Sequence, residues 1–372
     1  MKKFAKKFAK IAFSLSALAL AAALASCNAQ TAQSTQGTAG STAGSTEAHT
    51  HSFGGAWARD EAAHWQLCSC GEKSAAEAHK YNNSKKCTVC GIEKASEGLA
   101  YKYENGEFTV TGIGTCTDTK IVIPATYEGS PVTAVAGSAF ANNESITSVT
   151  FGDNVKTIGD GAFFACTALK SITVPESTEL INTNAFYFCS SLGTISLPRG
   201  GCEIRFGAFS ETAYANNDKN RKDGVLYIGE YLISCREQGC PQKITVKEGT
   251  KYIAQSAFLN ADVKEVILPD SVVSIGSFAF SKSSVQKIVL PKNLERIEEG
   301  TFSYSALNEI TIPLSVKYIG KDAFTAAGNR ETAVTYQGQI LQWKAITLGE
   351  NALPYFATIT CTDGKIVLPE TA

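Results

Sequence analysis

Histidine is scarce in this sequence, and its placement is one-sided: His49, His51, His64 and His79 are the only four, with none at any later position. No Ser-His-Asp or Cys-His arrangement can be assembled from the residues beyond position 79. An excess of one charge is also missing, since 34 Lys+Arg stand against 35 Asp+Glu. No field of one sign exists to draw in nucleic acid or acidic substrates. There is no Gly-x-x-x-x-Gly-Lys-Ser/Thr phosphate loop, and Gly112-x-Gly114 lacks the third glycine and following helix of a dinucleotide fingerprint, so it reads as a turn before a strand. Glu298-Glu299 reads as solvated surface, because a glycosidase needs two carboxyls converging across a cleft. No enzymatic activity is expected from this inventory. Methionine occurs only as the initiator, whereas Gly 31 and Phe 19 are raised, a balance that suits a turn-rich β-protein better than a helical bundle.

The first 27 residues read as a processing signal. Lys2, Lys3, Lys6, Lys7 and Lys10 precede an apolar run from Ile11 to Ala25, about 15 residues against the roughly 20 that a membrane span needs. Leu24-Ala25-Ser26-Cys27 resembles the lipobox of bacterial lipoproteins, which implies cleavage before Cys27, lipidation of Cys27 and anchoring to a membrane through the acyl chains. Asn28 is compatible with outer-membrane sorting in a two-membrane cell. Residues 28–48 are Gln, Ser, Thr, Ala and Gly with little else; they cannot bury a core and read as a flexible tether.

Residues 49–98 form a second region, which holds all four histidines together with Cys68, Cys70, Cys87 and Cys90. Cys87-Thr88-Val89-Cys90-Gly91 has the form of a zinc knuckle, and tetrahedral zinc takes four N or S donors. So short a segment, with Trp57 and Trp65 as its main aromatics, is small to fold without a staple. Two disulfides in an oxidising compartment would also use the four cysteines, but they leave the histidines unexplained. The segment resembles a His-Trp/Cys-rich, zinc-ribbon-like module placed before the main domain of bacterial surface proteins, on His64-Trp65, Cys68-Ser69-Cys70-Gly71, Ala78-His79 and Cys87–Gly91. It departs from the commoner form in having Cys-x-Cys as its first pair. The ligand set expected for one structural zinc is drawn from Cys68, Cys70, Cys87 and Cys90, with His64 or His79 completing it. A catalytic zinc is not expected, for want of a neighbouring general base.

The rest of the chain repeats. Phe140, Phe163, Phe186, Phe209, Phe258, Phe280, Phe302 and Phe324 are spaced by 23, 23, 23, 49, 22, 22 and 22 residues. An Ile-Gly-like approach precedes each, as in Ile158-Gly159, and a Leu-x-x-Ile-x-Leu-Pro-like stretch comes after it, as in Leu169–Pro175. That stretch alternates as a half-buried strand does, with proline ending it. Each unit therefore predicts one strand, a turn and a segment turning Phe inward; it is stable only when stacked, giving a solenoid with a continuous core. The third residue after each Phe is small (Asn143, Cys166, Cys189, Thr212, Ala261, Ser283, Ser305, Ala327), which marks a crowded interior column. Cys166 and Cys189 then read as buried fillers, while Cys235 and Cys240 read as a bridged pair. The long gap holds a polar loop, Ala213 to Asp223, and a hairpin turning at Gly229-Glu230, together an insert near 213–240. Tyr227 and Tyr231 on that hairpin are candidate contact residues; packing of the hairpin onto the solenoid explains them equally well.

These repeats, with Phe108–Asp118 as an opening cap and Ile359–Gly364 as a close, resemble the BspA-like leucine-rich repeats of bacterial surface proteins over residues 99–369. The resemblance implies a mainly β leucine-rich-repeat solenoid of about eight 22–23-residue repeats. It also implies an adhesin-like, protein-binding role at the cell surface, with host extracellular proteins or other bacterial surface proteins as partners. A periplasm-facing scaffold and a metal-scavenging lipoprotein are the alternatives.

Overall fold

The computed structural model describes residues 50–60, 62–328, 332–353 and 358–368. The export signal, Cys27, the tether and His49 lie outside the described residues. From His51 onward the chain forms one unit, almost all of it strand and turn, with Ile340–Lys344 the one α-helix among the described residues. No helix among the described residues is long and apolar enough to cross a membrane.

A solenoid of about 11 turns runs over residues 108–360, longer than the eight Phe-bearing repeats alone. One repeat shows the construction. Ser148–Thr150 is a first strand and Thr157–Ile158 a second, and the chain then turns through Phe163. Both strands pair in parallel with their counterparts one rung on: Ser148 with Ser171, Val149 with Ile172, Thr157 with Leu180, Ile158 with Ile181. The Phe turn makes a third ladder, in which the Phe163 N–H donates to the Ala185 carbonyl at 2.8 Å and that of Ala165 to Tyr187 at 2.8 Å. Every side of the coil is thus hydrogen-bonded to the next rung, where the sequence predicts a single strand. The Ile-Gly approach is too short to register as a strand by alternation.

The inward Phe rings stack along the axis: Phe140 on Phe163 at 5.0 Å, Phe163 on Phe186 at 5.2 Å, and Phe280 on Phe302 at 5.3 Å. These separations match the strand spacing, because successive rungs can approach no closer than backbone hydrogen bonding sets. The small column lies inside, with Cys166, Cys189, Thr212, Ala261 and Ala327 fully buried. Its polar members also satisfy backbone oxygens. Cys189 Sγ donates to the Phe163 carbonyl at 3.1 Å, and Ser283 Oγ to that of Phe280 at 2.7 Å. Where Ile-Gly rungs adjoin, the backbones nearly touch, so that a Cβ on Gly159 would lie 2.5 Å from Gly137 N.

Each Phe turn bends through two left-handed residues, two before and two after the Phe. Ser138 and Asn142, Gly161 and Ala165, Asn184 and Phe188, and Phe278 and Lys282 all have φ between 53 and 63°. Gly and Asn accept that region readily; a bulky residue such as Phe188 holds it only because the ladders on either side impose it.

Hairpins close both ends. Ala100–Glu104 pairs antiparallel with Glu107–Gly112 at the start, and Thr358–Cys361 with Gly364–Val367 at the finish, so the terminal ladders do not end in an open repeat.

The insert forms the expected antiparallel hairpin, Val225–Ile228 with Tyr231–Cys235, but its setting differs from expectation. Val225, Tyr227, Leu232 and Cys235 pack into the core of the second half of the array, while Leu226, Ile228, Tyr231 and Ile233 pack into that of the first. The core is therefore two clusters with the hairpin between them, where a continuous one was expected. Cys235 and Cys240, the pair expected to be bridged, lie with their sulfurs 3.1 Å apart.

Candidate metal centre and aromatic edge

The module ahead of the solenoid is a small antiparallel sheet, Ala58–Arg59, Ala63–Trp65 and Glu77–Ala78, with His64 at its centre opposite Arg59 and Glu77. Asp60 fixes the first turn by accepting from the backbone N–H groups of Ala62 and Ala63, and these contacts, Ala63 foremost, hold its carboxyl below the usual range. Two knuckles come next. The N–H of Cys68 donates to the Glu72 carbonyl at 2.8 Å and that of Gly71 back to Cys68 at 2.8 Å; in the second, Cys87 donates to Ile92 at 2.8 Å and Gly91 back to Cys87 at 3.0 Å.

Four donors converge at the second knuckle: His64, His79, Cys87 and Cys90, all ligand atoms within 4.8 Å of one another. His64 Nδ1 is 3.2 Å from His79 Nδ1, Cys90 Sγ 3.4 Å from His79 Nδ1, and Cys87 Sγ 3.8 Å from His64 Nδ1. A tetrahedron with Zn–N of about 2.0–2.1 Å and Zn–S of about 2.3 Å has N···N edges of about 3.3 Å and N···S edges of about 3.6 Å. The observed edges fit that figure. The tautomer fits as well: His79 Nε2 donates to the Asp60 carbonyl at 2.8 Å, leaving the Nδ1 lone pair directed at the centre, the usual arrangement behind a metal-bound imidazole. His64 is 1 % exposed and its Nε2 has no hydrogen-bond partner.

A second group comprises His51, Cys68 and Cys70, with Cys70 Sγ 3.3 Å from His51 Nδ1. The six ligands pooled from the sequence are thus divided. Cys68 and Cys70 do not share a centre with Cys87 and Cys90; their partner is His51, which sequence reasoning grouped with the other histidines without giving it a role. Both His64 and His79 lie with Cys87 and Cys90, where one was expected to complete the set. The Cys-x-Cys spacing did not signal this division; only the fold shows which histidine faces which pair.

The thiols differ in kind between the two regions. The Cys70 N–H, and then the His51 imidazole, pull the Cys68 thiol down to about 5. Burial opposes the same effect at Cys87, yet the N–H groups of Cys90 and Val89 and the His79 ring bring it to about 5 as well. In the solenoid burial dominates, pushing Cys166 up to about 11 and Cys189 up to about 12. Cys68 and Cys87 have the character of thiolate ligands, and Cys166 and Cys189 that of inert fillers.

Tyr227 and Tyr231, the candidate contact residues, are 8 % and 2 % exposed. The Tyr231 hydroxyl donates to the Pro198 carbonyl at 2.6 Å, and that of Tyr227 accepts from the Lys247 N–H at 3.2 Å. Both pack the hairpin, because its two faces meet two cores.

The aromatics exposed on Phe turns lie elsewhere, in both halves: Phe188 and Phe206 in the first, and Tyr304, 60 % exposed, in the second. Phe164 stacks on Tyr187 at 5.6 Å, and Tyr187 continues to Phe188 at 5.8 Å. Phe188 is 49 % exposed, and Phe206, on the next rung's turn, 53 %. After Phe280, Phe302 and Phe324 the next residue is hydroxylic instead, as at Ser281 and Ser303, which bond to each other at 2.9 Å. Aromatics in excess of one core Phe per repeat were the available sequence signal.

Stacked two-strand rungs with an internal Phe ladder define a leucine-rich-repeat solenoid. The model of the BspA type leucine rich repeat region matches residues 115–237 and 234–340 in six copies, more than half of the sequence. The chain belongs to that family. Among solved structures, a leucine-rich repeat protein of T. pallidum is 24% identical over 57% of this chain and 78% of that one, with a TM-score of 0.31. A leucine rich cell surface protein of Faecalibacterium prausnitzii is 22% identical over 68% and 97%, with a TM-score of 0.26. The pneumococcal vaccine antigen PcpA is 15% identical over 85% and 100%, with a TM-score of 0.29. At such TM-scores these likenesses carry no argument, and the assignment rests on the repeat match. No curated protein matches the chain.

Proposed function

We propose that this chain is an exported, lipid-anchored surface protein that binds other proteins through the aromatic turns of its solenoid, with one zinc ion stapling the module that precedes it. The observation that carries the reading is the run Phe164–Tyr187–Phe188, with Phe206 one rung on. Phe188 and Phe206 stand half-exposed on rigid, hydrogen-bonded turns beside the partly buried Phe164 and Tyr187, and Phe188 does so at a left-handed φ of 63°. Rigid aromatics on a preorganised scaffold are what protein interfaces use as anchors. Protein binding agrees with the family, and the zinc reading is supported by the edge lengths around His64, His79, Cys87 and Cys90. Host extracellular proteins or proteins of other bacteria are the partners this arrangement would serve.

The test uses cells producing the full chain. Protease shaving should release solenoid fragments from intact cells, and attachment to surfaces coated with extracellular-matrix protein should drop at least tenfold with Phe188→Ala and Phe206→Ala together. Protection from the protease on intact cells would favour a periplasm-facing scaffold instead. Undiminished attachment by the folded double variant would remove the aromatic turns as the contact.

A further inference from the structure

The module is an internal duplication, and its halves are not equally complete. In the second half His79 stands two residues before Tyr81, which bridges antiparallel to Cys87; in the first, His51 stands two residues before Phe53, which bridges to Cys68. Each histidine ring lies beside its aromatic, His79 and Tyr81 at 5.8 Å and His51 and Phe53 at 6.0 Å. Leu67 pairs with Lys73 across the first knuckle as Lys86 pairs with Glu93 across the second. His51, Cys68 and Cys70 therefore repeat His79, Cys87 and Cys90. The centre at Cys87 and Cys90 also receives His64 from the central strand; among the described residues no fourth His, Cys or carboxylate joins His51, Cys68 and Cys70.

We propose that His51, Cys68 and Cys70 bind a second thiophilic divalent cation, held by three protein donors and exchangeable, with its fourth position open to water or an outside ligand. The donor set, one imidazole and two thiols, is that of a zinc site with an open position. Exposure separates it from its twin: His51 and Cys70 lie at the surface, whereas His64 and Cys87 are buried. One fewer donor among the described residues and open access both favour weaker retention of the ion. This site is independent of any partner of the solenoid and shares with the stapling zinc only the module's fold.

The test is metal titration of the full chain, reduced and stripped by chelation, with Co2+ and then Zn2+. Two equivalents are expected, the second lost first to a competing chelator. His51→Ala and Cys70→Ser should each lower the stoichiometry from two to one, and Cys90→Ser should remove the tight ion. Added imidazole should shift the d–d bands of the second Co2+ and leave those of the first unchanged. Both surface variants leave the buried centre in place, so they remain informative even if Cys90→Ser does not fold. One equivalent at saturation in the unaltered chain, or a second equivalent that survives both surface variants, overturns the proposal, as does a second Co2+ spectrum indifferent to imidazole. Loss of the tight ion alone would overturn the stapling zinc and leave this site standing.

Discussion

His64 and His79 face each other Nδ1 to Nδ1 across 3.2 Å, from positions 15 residues apart, with Cys87 and Cys90 closing the same space. Without an ion, two ring nitrogens and two sulfurs share a pocket that can be satisfied only in part. With one, every lone pair has a use. Chelation should therefore loosen the module and leave the solenoid folded. Trp57 and Trp65 report on the module and Trp343 on the solenoid, so Trp343→Phe isolates the signal. Tryptophan emission of that variant should move to the red on chelation and return when zinc is restored; emission indifferent to the chelator would mean that no ion holds the sheet.

Two phenylalanines two residues apart should behave oppositely. Phe186 is fully buried between Phe163 and Phe209, and Phe186→Ala should cost about 3–5 kcal/mol. Phe188, half-exposed, should cost no more than about 0.5 kcal/mol when cut to alanine. Urea midpoints measured for both variants decide it, and equal losses would contradict the assignment of one to core and the other to surface.

Gly159 is close to the backbone of the preceding rung. Gly159→Ala should destabilise by about 1–3 kcal/mol, because the new methyl meets backbone that both ladders hold in place. The same substitution at Gly229, where a Cβ would have open space, meets no such contact, although its φ of 58° still penalises alanine. A smaller loss at 159 than at 229 in denaturant unfolding would show that the rungs can separate.

Acid should loosen the seam between module and solenoid. Asp118 pairs with Lys85 at 2.6 Å and accepts from Ser96 at 3.0 Å, while Glu93 pairs with Lys86 at 3.0 Å and accepts from Thr150 at 3.0 Å. The Lys85 contact holds the Asp118 carboxyl below its ordinary range, and the Lys86 contact does so for Glu93. Depressed carboxylates stabilise fully above their unfolded values, about 3.9 for Asp and 4.3 for Glu, and that contribution fades as pH falls through the lower folded values. Hydrogen exchange at Ser96 and Val122 should thus accelerate below about pH 4 before the Phe-turn amides respond. Asp118→Asn should show the faster exchange already at neutral pH. Seam and core amides responding together would sink this account.

Much of the fold was legible in the sequence because it repeats. Eight Phe residues at nearly constant spacing, each followed by a small residue, specify a stack with one buried ring per rung. Less visible were features that depend on what lies across a rung. Thr157–Ile158 is too short for alternation to announce a strand, and its partners are 23 residues away. Tyr227 and Tyr231 looked like surface because a hairpin normally has an outer face, whereas this one has none. The metal ligands were recognisable by type, but assigning His51 to Cys68 and Cys70 required the duplicated pairing of Phe53 and Tyr81, which no local spacing encodes.

The hairpin at Val225–Ile228 and Tyr231–Cys235 sends alternate side chains into different cores. An array of rungs ordinarily frays from its ends, each rung depending only on its neighbours. Here a front of unfolding advancing from either end reaches a unit anchored on both sides, and it must give up both sets of contacts to pass. The hairpin acts as a firebreak: either half can lose or gain whole rungs over evolutionary time while the other keeps its packing, and the two lengths of the array are free to vary independently.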